Sequence, residues 1–245
     1  MSVESTVALA LAIAAVAFLY STVGHAGASG YIAAMSLFGL AATTIRPTAL
    51  ALNVLVSVLT TWQFWRAGHF SWRLFWPFAL LAVPLAFLGG YVTLPTHVFK
   101  ILIGVVLLLS AARLIARPSA DVAGHEASRL AALSVGGVLG LFAGLTGTGG
   151  GIFLTPVLLF MRWARTKQAA ATSAAFILVN SLAGLAGNFS ATRTIPGVAI
   201  PLAGAALAGG AAGSYLGARR FDHTVIKRML AVVLVIAGVK LIFTV

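Results

Sequence analysis

The chain contains no cysteine, so disulfide staples, thiol nucleophiles and cysteine-ligated metals are all excluded. Acid is almost as scarce. Glu4, Asp121, Glu126 and Asp222 are the four carboxylate side chains in 245 residues, and each falls in a terminus or between apolar runs. With no Asp or Glu inside a hydrophobic segment, coupling through a membrane carboxylate is disfavoured, and so is a carboxylate site for a metal cation. No metal ligand, catalytic residue or cofactor is assigned. Charge of either sign is thin, at 8% of residues against about 25% in a soluble domain. So few charges cannot cover a water-facing surface. What is abundant is apolar: 60% of residues are hydrophobic and the mean hydropathy is +1.05. The composition describes an all-α polytopic membrane protein.

Ten apolar segments can be drawn, at roughly 5–23, 29–43, 47–65, 71–92 and 98–115, then 129–145, 150–163, 167–187, 195–217 and 224–244. The polar stretch around Arg117, Asp121, His125 and Glu126 separates the two sets. The organisation expected is a first membrane repeat over 1–116, a cytoplasmic linker over 117–128 and a second repeat over 129–245. The first apolar run lacks a basic leader before it, so the N-terminus reads as retained rather than cleaved.

The net charge of +12 in a soluble protein would suggest nucleic acid. Here the basic residues sit between apolar runs, so they report topology instead. If sides alternate after each of ten segments, twelve basic residues fall on one side, among them Arg66, Arg73, Arg162, Lys167, Arg219 and Arg228. Four fall on the other: Arg46, Lys100, Arg193 and Lys240. Fusing the first two segments of each half would reduce the asymmetry to nine against seven. The lopsided count favours two inverted-topology repeats of about five segments each, with both termini outside the cytoplasm. The first pair in each repeat is short, which predicts broken or re-entrant helices whose irregular backbone lines a protected cavity.

The halves also share a motif. Gly24-His25-Ala26-Gly27-Ala28-Ser29-Gly30 lies between apolar runs, and Gly144-Leu145-Thr146-Gly147-Thr148-Gly149-Gly150-Gly151 follows 120 positions later, counted from Gly30 to Gly150. Paired glycine-interrupted segments in corresponding halves point to a transporter's binding site. Each motif sets a helix start beside a flexible turn. A helix start offers free N–H groups and the positive end of the dipole, while glycine lets a ligand approach the backbone. A small oxyanion fits such a cradle. The expected binding set is His25, Gly27, Ser29, Gly30, Asn53, Thr146, Thr148, Gly149, Gly150, Gly151 and Ser173. Asn53 and Ser173 occupy equivalent positions in the two halves.

His25 is the one titratable side chain expected deep in the membrane, so it is the candidate proton carrier. Asn180 and Asn188 read as interhelical hydrogen-bonding groups. Thr61 and Gln63 are expected to face the interface. Trp62, Trp65, Trp72 and Trp76 surround Arg66 and Arg73 as an interfacial aromatic belt would. Pro156 is expected to shape the second short helix.

The glycine turn at 144–151, followed by Pro156 and Ala171-Thr172-Ser173, resembles the second-half signature of the TauE/SafE sulfite exporter family. The two-half arrangement matches over essentially the whole chain. The first half departs from the glycine-rich form, with His25 and Ser29 where the second has Leu145 and Gly149. The resemblance implies an integral membrane transporter, in the bacterial inner membrane, for a small sulfur-containing anion: sulfite, sulfoacetate or another organosulfonate. Read from the residues alone, an anion channel and a non-transporting scaffold or assembly factor stay open beside a transporter working by alternating access. An intramembrane enzyme such as a lipid-pyrophosphate phosphatase would need acidic or basic catalytic groups within the membrane, where His25 stands alone without a nearby acid. The partners expected are the anionic substrate and the lipid bilayer, with no nucleic acid; a homodimer is compatible with a chain of this size.

Overall fold

The computed structural model describes residues 3–92, 97–116, 121–193 and 197–243. Regular structure among them is helical. In chain order the helices are α1 (Val3–Ser21), α2 (Ala28–Leu37), α3 (Ala42–Arg66), α4 (Trp72–Tyr91), α5 (His97–Ala116), α6 (Arg129–Thr146), α7 (Gly151–Phe160), α8 (Thr166–Thr192), α9 (Ala199–Tyr215) and α10 (His223–Phe243). A π-turn over Leu216–Arg220 extends α9. Residues 117–120 of the expected linker lie outside the described set, as do residues 194–196 near the expected start of the ninth segment.

Six of these stretches are long and apolar enough to cross a membrane: α1, α3, α4, α6, α8 and α9 with its π-turn. The protein is a multi-pass membrane protein. The shortening expected of the first pair in each half falls on one member only. α1 and α6 run 19 and 18 residues, whereas α2 and α7 have ten each. Each long helix stops at its glycine turn, and a half-length helix leads away from it. Glycines in the left-handed region make the break, Gly24 and Gly27 in the first half and Gly147, Gly149 and Gly150 in the second.

Small residues set the packing. Gly136, Gly140 and Gly144 on α6 lie against the backbone carbonyls of Phe78, Ala82 and Ala86 on α4, so these two helices run parallel. Gly209, Gly213 and Gly217 meet the carbonyls of Ala14, Phe18 and Thr22 in the same way, so the chain from α9 runs parallel to α1. At all six places a Cβ would stand 2.1–2.3 Å from a carbonyl oxygen. Small-xxx-small spacing of this kind drives helix association where lipid removes the hydrophobic incentive. The first helix of each half thus packs on the fourth helix of the other. Contacts of Leu50 with Gly184 and of Asn53 with Ser181 show α3 and α8 antiparallel. Gly104 and Gly238 bring α5 and α10 together, also antiparallel.

The expected linker is stitched to the second half. The Gly124 N–H donates to the Arg162 carbonyl at 2.7 Å. The Asp121 carboxylate accepts from the Thr166 backbone N–H at 2.8 Å and its hydroxyl at 2.5 Å, which caps the start of α8. The Lys227 ammonium of α10 lies 4.0 Å away. Burial pushes the Asp121 carboxyl up, but the two Thr166 bonds and the nearby Lys227 and His223 charges outweigh it and hold the group below its usual range.

Candidate functional site

The two glycine turns meet at Asn53. This residue sits on α3, fully buried, and its amide has two faces. Its Oδ1 accepts from the Ala28 N–H, the first of α2, at 3.0 Å. Its Nδ2 donates to the Thr148 carbonyl of the second turn and to the Ser181 hydroxyl of α8, both at 3.3 Å. One side chain thereby ties the start of the first short helix to the turn before the second. Gly149 closes the same corner: a Cβ there would stand 2.8 Å from both Asn53 Nδ2 and Ser181 Oγ.

The second half returns the contact. His25, 2% exposed, crosses from the first turn to α7, where Nε2 lies 2.8 Å from the Thr155 hydroxyl. Thr155 Oγ1 is 2.7 Å from Ser173 Oγ on α8, and 3.2 Å from the Gly151 carbonyl one turn back. Asn53 on α3 therefore reaches the second turn, while Ser173 on α8, through Thr155, reaches the first. Asn53 and Ser173, 120 positions apart, thus each reach toward the glycine turn of the other half. His25 Nδ1 is buried with no hydrogen-bond partner.

Other expected residues are turned elsewhere. The Ser29 hydroxyl donates to the Tyr20 hydroxyl of α1 at 2.9 Å, within its own half. Gly30 packs on Val16 and Tyr20. Gly27 sits under the Tyr31 ring, whose hydroxyl bonds the Ala26 carbonyl. Thr146 donates back to the Phe142 carbonyl at 2.6 Å and meets the Thr148 hydroxyl at 2.8 Å. Gly150 and Gly151 abut Phe176 and Ile177. Pro156 lies inside α7. In this conformation the polar groups of the cradle are buried and mostly bonded to one another.

Sequence reasoning passed over four participants. Thr155 and Ser181 are ordinary hydroxyl residues in apolar runs, and their only signal is the facing position. Arg46 was counted as a loop cation, yet α3 begins at Ala42 and carries it into the protein. Its seven-residue spacing to Asn53 was the available clue, since that spacing puts both on one helix face. Lys240, also counted with the topology, donates to the Ser29 carbonyl at 2.8 Å. Gln63 corrects an expectation. It is buried rather than interfacial, and its amide donates to the Ala211 carbonyl at 3.1 Å. Together with Asn53, Ser57 and Thr60 it forms a buried polar row along α3. Of the tryptophans, Trp62, Trp65, Trp72 and Trp76 are exposed, as a belt requires.

A cavity of about 370 Å³ lies away from the glycine turns, between α4, the 121–127 segment and the chain after α7. Arg73, His125, Glu126, Trp163 and Gln168 line it.

Residues 9–241 match the family described as Sulfite exporter TauE/SafE. The chain is also 42% identical over 242 residues to the probable membrane transporter protein y4hK of Sinorhizobium fredii (strain NBRC 101917 / NGR234), covering 97% of this chain and 98% of that protein. No solved structure matches. A match running from α1 to α10, over both glycine turns and the helices that join them, places this chain in the TauE/SafE sulfite exporter family of membrane transporters.

Proposed function

We propose that this protein carries a small sulfur-containing anion, sulfite or an organosulfonate such as sulfoacetate, across the bacterial inner membrane by alternating access. The anion binds where the two glycine turns converge, and the two halves form an inverted repeat around it. The observation that carries this reading is the double tie at Asn53 and His25. A polar site built reciprocally from both halves sits inside an apolar protein, beside two helix starts that favour negative charge. The antiparallel α3/α8 and α5/α10 pairs support the inversion, because equivalent helices of parallel repeats would run the same way.

The anion would replace bonds that the site residues now make with each other. The Asn53 amide N–H, the Thr148 hydroxyl, the start of α7 and an imidazole N–H of His25 are its donors. Breaking the Asn53 and His25 ties loosens the halves from each other, so binding and rearrangement are one event. His25 is the candidate proton carrier. Counted over ten alternating segments, twelve basic residues fall on one side and four on the other, Arg46 among the four lying within α3, and the positive-inside rule then favours both termini outside the cytoplasm.

Purified protein in proteoliposomes, under an imposed pH gradient, tests this reading. Saturable flux of sulfite or an organosulfonate is expected, with chloride and sulfate carried far more slowly. His25→Ala is expected to flatten the pH dependence of that flux. Unselective, non-saturating flux would point to a channel, and no flux of any anion from folded protein would overturn the proposal.

A further inference from the structure

Arg46 is held by backbone carbonyls from two helix ends. It lies on α3 two turns before Asn53, on the same face. Its Nη2 donates to the carbonyls of Gly89 at 2.6 Å, Gly90 at 3.1 Å and Gly144 at 2.6 Å, and Nη1 reaches the Val92 carbonyl at 3.4 Å. The glycine carbonyls belong to the last turns of α4 and α6, the two helices that run parallel, and Val92 follows α4 directly. Gly147 of the second turn rests on the aliphatic stem, where a Cβ would stand 3.0 Å from Arg46 Cγ. Arg46 Nε is buried without a partner. The ion pairs among the described residues are Arg73 with Glu126 and Lys227 with Asp121, so no carboxylate answers the guanidinium. The four acids of the chain are Glu4, Asp121, Glu126 and Asp222, and Glu4 is exposed.

We infer that Arg46 is a second oxyanion site, one step out from the Asn53–His25 cradle, and that anion binding there releases the ends of α4 and α6. The physics lies in what a guanidinium prefers. Its planar fork of donors matches two oxygens of one oxyanion, and a charged acceptor makes bonds roughly twice as strong as neutral carbonyls do. Carbonyl oxygens at two helix ends satisfy part of the fork and leave Nε–H over. An arriving oxyanion supplies the missing charge and takes Nε–H together with one Nη. The guanidinium then leaves Gly144, and with it the bond that pins the start of the second glycine turn to the end of α4. The stem under Gly147 moves with it, so occupation of Arg46 is felt at Thr148 and Gly149, the next two residues. Arg46 is thus a binding residue that also opens the way to the cradle.

The inference rests on the transport reading above, and its test separates the two. Wild type, Arg46→Lys and Arg46→Gln are compared in proteoliposomes by initial sulfite flux over a wide concentration range. Arg46→Gln is expected to raise KM tenfold or more with Vmax within about threefold, and to weaken the dependence of KM on ionic strength. Arg46→Lys keeps the charge but loses the fork, so an intermediate KM is expected. Saturable wild-type flux with an unchanged KM in Arg46→Gln would overturn this inference and leave the transport reading standing. Loss of wild-type flux would overturn both. If Arg46→Gln does not fold, the KM of Arg46→Lys decides. If neither folds, phenylglyoxal modification of wild type, mapped by mass spectrometry, decides: sulfite must change the labelling of Arg46 while sparing that of exposed Arg73, and no change overturns the inference.

Discussion

The two glycine turns occupy the same place in their halves, yet they work differently. The first, residues 22–27, projects a side chain: His25 leaves its own half and bonds Thr155 on α7. Its glycines are closed in by neighbours, since a Cβ on Gly24 would stand 2.2 Å from the Ala170 carbonyl oxygen. The second, residues 147–150, projects backbone. It has three glycines at positive φ in four residues, and it presents the Thr148 carbonyl to Asn53. Glycines in the left-handed region shape both turns, but the first reaches across with an imidazole and the second with a backbone carbonyl. Each turn makes a contact with the opposite half, His25 with Thr155 and the Thr148 carbonyl with Asn53.

That difference predicts unequal responses to mutation. Asn53→Leu is the most severe side-chain change, because it strands the Ala28 N–H, the Thr148 carbonyl and the Ser181 hydroxyl together. Each stranded buried group costs about 1–3 kcal/mol. A large fall in thermal stability and loss of flux are expected, measured by a melting curve in detergent and by the proteoliposome assay. His25→Leu strands less, since Thr155 keeps the Gly151 carbonyl and Ser173 within reach. It should cost about 1 kcal/mol, leaving a folded protein whose flux no longer follows pH. If the two variants proved equally unstable, Asn53 would not be the stronger of the two ties between the halves.

A smaller effect is expected far from the site. Asp121→Ala removes the carboxylate that caps α8, worth about 1 kcal/mol by the usual scale of such caps. The carboxyl is held below its usual range in the folded protein, so its contribution is fully present above the unfolded value of about 3.9 and disappears as pH falls through the lower folded value. The stability gap between Asp121→Ala and wild type should therefore not narrow as pH falls from 8 to 5. A gap that closes as pH drops towards 5 would show that the carboxylate is not held as described.

Much of this was legible in the sequence because membranes simplify the reading. Hydropathy marked the helices, and a positional match across 120 residues marked both turns and the pair Asn53 and Ser173. What the pattern could not convey was direction. Ser29 and Gly30 belong to the motif by spacing, but in three dimensions they face Tyr20 and Val16 of α1. Thr155 and Ser181 belong to the site by facing it, and nothing in an apolar run distinguishes a hydroxyl that does so. Arg46 was misplaced for a different reason. Counting basic residues by side treats every cation as a loop residue, and α3 begins four residues before this one. Gln63 shows the same error in a polar group: its position near a helix end suggested the interface, whereas α9 packs over it.

The central claim is that the glycine turns form one substrate site rather than a tight packing joint. Leucine placed at Gly149 and at Gly204 tests it most directly. Gly149 touches Asn53, Ser181 and Ile177, while a Cβ on Gly204 meets nothing within 4 Å. Both variants would be purified, checked for folding by gel filtration and melting temperature, and assayed for sulfite flux. The account predicts wild-type flux for Gly204→Leu and less than a tenth of it for a folded Gly149→Leu. Undiminished flux through Gly149→Leu would contradict it.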